Sequence, residues 1–216
     1  METSGPTATR EPQPGLRERK KQQTRGRIFE AADELFTRKG YAAVTTQEVA
    51  AAADVGAGTL FRYAQNKAEL LIMVMNERLR LGAESGLVIA ERGGSPAESI
   101  FGLVEPLVQA ALNQPENTAV FQREVLFGVD GPYRAEALGR IRELEDAMVT
   151  ILTRYSQTEA TRTAVDIRRV ASTIFSVLYL KLVRLELGQV SPEDLPDALR
   201  SDVDYLVEQL LATRPT

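Results

Sequence analysis

Between Thr45 and Lys67 the chain reads TTQEVAAAADVGAGTLFRYAQNK, and this stretch limits what the rest can fold into. Thr45 stands three residues before Glu48. That is the spacing of a capping box, in which the hydroxyl accepts from the Glu48 amide and the carboxylate reaches back to the Thr45 amide. Val44 and Val49 flank the cap as a hydrophobic staple. Asp54-Val55-Gly56 breaks the segment, a second helix is predicted from Gly56 with Val55 and Leu60 as its staple, and a third start falls at Asn66, with Glu69 three residues on. Two short helices joined by a tight turn have the spacing of a helix-turn-helix, whose second helix reads DNA.

Around this stretch the periodicity is helical. From Lys20 to Lys39 the residues Ile28, Ala31, Ala32, Leu35 and Phe36 recur as one apolar stripe, with Arg38, Lys39 and then Gly40 as the stop. Further helices are predicted from Asn66 to about Leu87 and from Ser95 to about Asn113, the latter with a Ser-Pro start and an internal Pro106. Residues Gln114 to Asn117 read as a connector, and Thr118 to Phe127 as a short helix or turn-rich piece. Long helices follow from Tyr133 to Tyr155, from Ala164 to Leu187 and from the second Ser-Pro start at Ser191 to about Ala212, with a polar loop over Ser156 to Thr163. The segment from Ile167 to Leu185 is apolar on more than one face and so needs cover on more than one side. The fold class expected is all-α: an N-terminal three-helix helix-turn-helix unit over residues 16–65 and a larger C-terminal helical domain over 66–216, preceded by a disordered tail of residues 1–15 rich in Pro, Gly, Thr and Ser.

Composition narrows the chemistry. There is no Cys and no His in 216 residues, which removes thiolate nucleophiles, the commonest general base and the commonest metal ligands. No metal or cofactor is expected. The net charge is −4, but residues 1–67 carry 11 basic and 8 acidic residues and the remainder 15 and 22. A mildly basic head on an acidic body suits a protein that touches DNA with one end. The N-terminus has no apolar core that would make a signal peptide and no run is long enough to span a bilayer, so a cytoplasmic protein without membrane contact is expected.

The residues Thr45-Thr46, Val49-Ala50, Val55-Gly56, Gly58-Thr59-Leu60-Phe61-Arg62-Tyr63 and Asn66-Lys67 resemble the DNA-binding domain of the TetR family of transcriptional repressors, over roughly residues 20–75. Three positions depart from the family pattern: Asp54-Val55-Gly56 replaces the usual Gly-Val-Ser, Phe61 the usual Tyr, and Ala64 the usual Phe. The resemblance implies that Thr46 and Gln47 face phosphates. It puts Ala57, Gly58 and Thr59 at the tip of the recognition helix, Phe61, Arg62 and Tyr63 one turn later, and Lys67 beside a phosphate. Arg62 is the forked donor of that helix and so the candidate for a guanine contact.

For the C-terminal part the resemblance implies a ligand-binding and dimerisation domain whose last two long helices pair with a second copy. Phe101, Phe121, Phe127, Tyr133, Met148, Phe175 and Tyr179 are candidate pocket residues. The implied function is a homodimeric regulator on a palindromic double-stranded DNA operator, released by a small-molecule inducer. The coupling is expected to run through the helix beginning at Asn66, which alone joins the two parts in sequence. A helical enzyme built on buried carboxylates and an architectural DNA-binding protein without a ligand are the alternatives.

Overall fold

The structure, a computed structural model, describes residues 15–158 and 166–211. Among them are nine helices and no strand: α1 (Leu16–Lys39), α2 (Thr46–Ala52), α3 (Ala57–Leu60), α4 (Lys67–Glu91), α5 (Pro96–Asn113), α6 (Pro115–Phe127), α7 (Pro132–Thr158), α8 (Ile167–Glu186) and α9 (Leu195–Leu211). Nearly all of the tail expected over residues 1–15 lies outside the described residues, as do residues 159–163 of the expected polar loop.

The head is α1 to α3. All five residues of the α1 stripe are buried, against Val49, Ala50 and Leu60 of α2 and α3 in one continuous core. The helix begins four residues earlier than the stripe implied, because its first turns, exposed throughout, need no apolar residue to continue a helical backbone. Gly40 stops it with a φ of 77°, a backbone that side chains rarely adopt. Thr45 and Glu48 form the reciprocal capping box that starts α2.

The turn after α2 explains one departure from the family pattern. The Val55 amide donates to the Ala50 carbonyl at 3.0 Å and the Asp54 amide to that of Ala51 at 3.1 Å. This is a Schellman closure, which needs a left-handed residue at its centre. Asp54 takes that place with a φ of 52°, where glycine would be unstrained.

The body wraps α4. Leu70 to Met75 are buried without interruption, since α4 is covered by the head on one side and by body helices on the others. Its closest neighbour is the antiparallel α5. A Cβ added at Gly82 would overlap the Leu103 carbonyl oxygen, and one added at Gly86 would meet the Leu103 side chain. Helix α5 runs on through Pro106 without a break.

The predicted connector at residues 114–117 is instead the entry to α6. Pro115 occupies its first turn, where a missing N–H costs nothing. The last helix begins at Leu195 rather than beside Ser191. Ser191 caps a preliminary turn through Asp194, at 3.1 Å. Helix α8 buries one face through Val170, Ile174, Leu178, Leu182 and Leu185. Its opposite face mixes exposed Ser172, Thr173 and Ser176 with Leu180, so its second side is less apolar than the sequence suggested.

Candidate nucleic-acid interface and ligand cavity

Helices α2 and α3 present a continuous outer face. Gln47, Ala57, Gly58, Phe61 and Arg62 are exposed, while Thr46, Thr59 and Tyr63 are half-buried. A Cβ at Gly56 or Gly58 would meet nothing within 4 Å, so a duplex can approach this backbone closely. Helix α3 is only four residues long. Phe61, Arg62 and Tyr63 lie past its end in a tight turn, in which the Arg62 amide donates to the Thr59 carbonyl at 3.2 Å and that of Tyr63 to Leu60 at 2.8 Å. The expectation that Arg62 belongs to the recognition helix is corrected to that extent. Its guanidinium remains exposed, with no hydrogen bond or ion pair among the described residues.

Two of the expected contact residues are already engaged. The Tyr63 hydroxyl donates to the Lys21 carbonyl at 3.3 Å, bracing the start of α1. The Lys67 ammonium donates to the carbonyls of Tyr41 at 2.8 Å, Val44 at 2.9 Å and Ala42 at 3.4 Å. It also sits 4.2 Å from the centre of the Tyr41 ring. An ammonium has three donors, and all three are spent on the α1–α2 loop. Here Lys67 clamps that loop, and a phosphate would have to compete with three carbonyls.

Polar contacts fix this end of the head from several sides. Lys39 bonds Glu48 at 2.8 Å. This bond, together with those from the Thr45 amide and hydroxyl, holds the exposed Glu48 carboxyl down to about 2. From the body side, both Glu116 oxygens accept from the Ala42 amide at 3.1 Å. The Asn117 amide donates to the Phe36 carbonyl at 2.8 Å. A Cβ at Gly40 would stand 2.9 Å from the Gln114 and 3.0 Å from the Glu116 side-chain oxygens, so these two side chains close over the loop. Helix α4 adds Arg78, bonded to Asp33 at 2.7 Å and Thr37 at 3.1 Å.

In the body, Phe121, Phe175 and Tyr179 come together around an apolar cavity of about 30 Å³, with Thr118, Gln122, Leu178 and Leu182 among the other lining residues. Burial alone pushes the Tyr179 hydroxyl up to about 12. The other four candidates lie elsewhere, which corrects the expectation. Phe101 is buried with the Arg200 guanidinium 3.9 Å above its ring. Met148 is fully enclosed in the core. Tyr133 faces the head, under Arg25 at 5.8 Å, and its carbonyl accepts from Asn76 at 3.0 Å. Phe127, at the free end of α6, is 82% exposed. An aromatic residue in a helical pattern gives its periodic face but not which neighbouring helix it meets. Thr118 and Gln122 give no sequence signal of a cavity, because a polar residue beside apolar ones usually marks the solvent side.

Residues 28–74 match the family model described as bacterial regulatory proteins, tetR family. The chain is 30% identical over 153 residues to the HTH-type transcriptional repressor KstR of Mycolicibacterium smegmatis, spanning 70% of this chain and 72% of that relative. The chain belongs to the TetR family. It is therefore a DNA-binding transcriptional regulator and not an enzyme. This TetR-family chain is also 38% identical over 72 residues to the regulator TcmR of Streptomyces glaucescens, across 33% of its own length and 32% of TcmR. Among solved structures, the Thermus thermophilus repressor FadR in complex with lauroyl-CoA superposes with a TM-score of 0.65 at 25% identity, over 88% of this chain and 97% of FadR. A regulator from Rhodococcus sp. RHA1 gives 0.63 at 21% identity, over 87% and 97%. The all-α architecture with an N-terminal helix-turn-helix domain is thus shared along nearly the whole of those chains. Among the described residues, no helix is long and apolar enough to cross a membrane.

Proposed function

We propose that this regulator is a homodimeric repressor whose two heads, residues 16–65, read the halves of a palindromic operator, and whose body, residues 66–216, releases DNA when a small apolar molecule enters the α6–α8 cavity. One observation carries the reading. Helix α6 lines the cavity with Thr118, Phe121 and Gln122, and with its first turn it holds the head, the α1–α2 loop through Glu116 and the end of α1 through Asn117. A ligand that parts α6 from α8 strains those bonds. It shifts the equilibrium by its difference in affinity for the two arrangements. Coupling through α4 alone gives way to coupling through α4 and α6 together.

Each head offers Gln47, Ala57, Gly58, Phe61 and Arg62 to the duplex, with Thr46 and Thr59 at the edge of the same face. Arg62 is the proposed guanine reader. Tyr63 and Lys67 shape the face from behind it. The dimer forms through the outward sides of α8 and α9, where Leu180, Leu187 and Tyr205 are 48%, 63% and 63% exposed. An obligate interface of this kind commonly buries about 2,000 Å² or more.

The small cavity volume favours one other reading, an architectural DNA-binding protein with no ligand. The test is fluorescence anisotropy on an operator selected from random duplexes, run across salt concentrations and with apolar compounds, together with sedimentation. Sequence-specific, salt-dependent binding by a dimer that a compound reverses supports the proposal. Binding that no apolar compound reverses supports the architectural reading, and a monomer at micromolar concentration removes the palindrome.

A further inference from the structure

The chemistry of the cavity wall limits what can enter it. Twelve residues line it, and none is an acid, a lysine or an arginine. Three carry polar side-chain groups: Thr118, Gln122 and Tyr179. Gln122 and Tyr179 are turned on each other. The Gln122 amide donates to the Tyr179 carbonyl at 3.4 Å, and the Tyr179 hydroxyl to the Gln122 carbonyl at 3.5 Å. Thr118 is different. It is 3% exposed, and its Oγ1 has no hydrogen-bond partner among the described residues. A helical threonine ordinarily bonds back to the carbonyl four residues earlier. At Thr118 that bond, to the Gln114 carbonyl, is not made; the Gln114 oxygen accepts from the Asn117 backbone N–H at 3.0 Å. A buried hydroxyl left without a partner is costly, and a ligand atom that supplies one recovers the cost.

Several nearby cations are paired, while Arg142, next to Ile141, stands in solvent outside the lining. Arg123, next to Gln122, bonds Glu124 at 2.9 Å. Arg140, next to Ile141, bonds Glu143 at 2.9 Å. Lys181, between Tyr179 and Leu182, bonds Asp202 at 2.6 Å. A carboxylate or phosphate drawn into this wall would lose its water and find no cation in the lining.

We infer that the cavity selects an uncharged, mainly hydrocarbon ligand carrying one oxygen function, a hydroxyl or a ketone, that pairs with Thr118 Oγ1, and that it discriminates against carboxylates and coenzyme A thioesters. This rests on the ligand-responsive reading above and specifies its chemistry. A cavity of about 30 Å³ has room for only two or three waters, so the ligand enters by parting the helices. Thr118 directly follows Asn117 and Glu116, so the ligand oxygen acts on the turn that holds the head.

The experiment uses the full chain and three probes with the same flexible chain: decanol, decanoate and decanoyl-CoA. Calorimetry reads binding and anisotropy of a labelled operator reads release, for the natural chain and for Thr118→Val. Decanol is expected to bind and to release the operator, with the two charged probes weaker by about tenfold or more. Thr118→Val, which keeps the shape, is expected to weaken decanol by about tenfold, the scale of one lost hydrogen bond, while raising the melting temperature of the unliganded protein. A purely structural threonine would change the melting temperature alone.

Decanoyl-CoA binding more tightly than decanol, or a Thr118→Val chain with undiminished decanol affinity, overturns the ligand class and leaves the ligand-responsive reading standing. Decanol bound with the operator still held overturns that reading and leaves the ligand chemistry standing. No binding by any probe overturns both.

Discussion

The head and the body are held by different kinds of contact. In the head, the determining bonds are polar and short in sequence: Thr45 with Glu48, Asp54 with Ala51, Lys39 with Glu48. In the body they are apolar and distant, with the glycines of α4 closed onto the α5 backbone and α6 laid across α7 and α8. The functional surfaces differ in the same sense. The face proposed for DNA consists largely of exposed side chains, several without an internal partner, whereas the body cavity hides its one orphaned hydroxyl from water. A surface that must meet a polyanion can remain solvated until it does. A site that must recognise an apolar molecule has to be built from the core, and so it shares its walls with the elements that hold the fold.

The sharpest way to break this comparison is to add one methyl group to each region. Gly82→Ala puts a Cβ into the Leu103 carbonyl and must drive α4 and α5 apart. A loss of about 1–3 kcal/mol, the usual cost of overpacking, is expected in urea unfolding. Gly58→Ala meets open space, so stability should hold while operator affinity falls. Equal stability losses at the two sites would end the distinction.

Arg62→Ala should cost roughly 1–3 kcal/mol of operator binding and relax preference at one base pair per half-site, with anisotropy on single-base operator variants as the measurement. The same loss on every sequence would turn Arg62 into a phosphate contact.

Lys67→Met tests whether a family position that resembles a DNA contact here serves the fold. Removing the clamp on three carbonyls should destabilise the head by about 1–2 kcal/mol and leave the salt slope of operator binding unchanged. A slope shallower by about one would show the ammonium reaching a phosphate.

Asp54→Gly, which relieves the left-handed φ of 52°, should raise stability by up to about 1 kcal/mol in the same unfolding experiment. The finest effect concerns acid. Glu48 is held from its ordinary 4.5 down to about 2, so the folded state binds fewer protons than the unfolded chain between those values. Stability from this group is therefore complete above about 4.5 and is lost as the pH falls toward about 2. Glu48→Gln should flatten that part of the pH–stability curve.

The sequence by itself determined whatever depends on neighbours within a few residues. The capping boxes at Thr45 and Ser95, the stop at Gly40, the α1 stripe and the order of the helices all follow from hydrogen bonds and periodicities that close inside one or two turns. The helix-turn-helix stretch proposed to face DNA was legible as structure for that reason, with Arg62 exposed. Tertiary structure alone decided the contacts that cross long spans. Glu116 reaches Ala42 across 74 residues, Asn117 reaches Phe36 across 81, and Lys67 turns from an expected phosphate to carbonyls more than 20 residues earlier. Of seven aromatic or sulfur-bearing pocket candidates, Phe121, Phe175 and Tyr179 met at the cavity because α6 happens to cross α8 there. A helical pattern fixes which face is buried, but the partner of that face depends on how whole helices pack, and that is set by the summed fit of many residues rather than by any local signal.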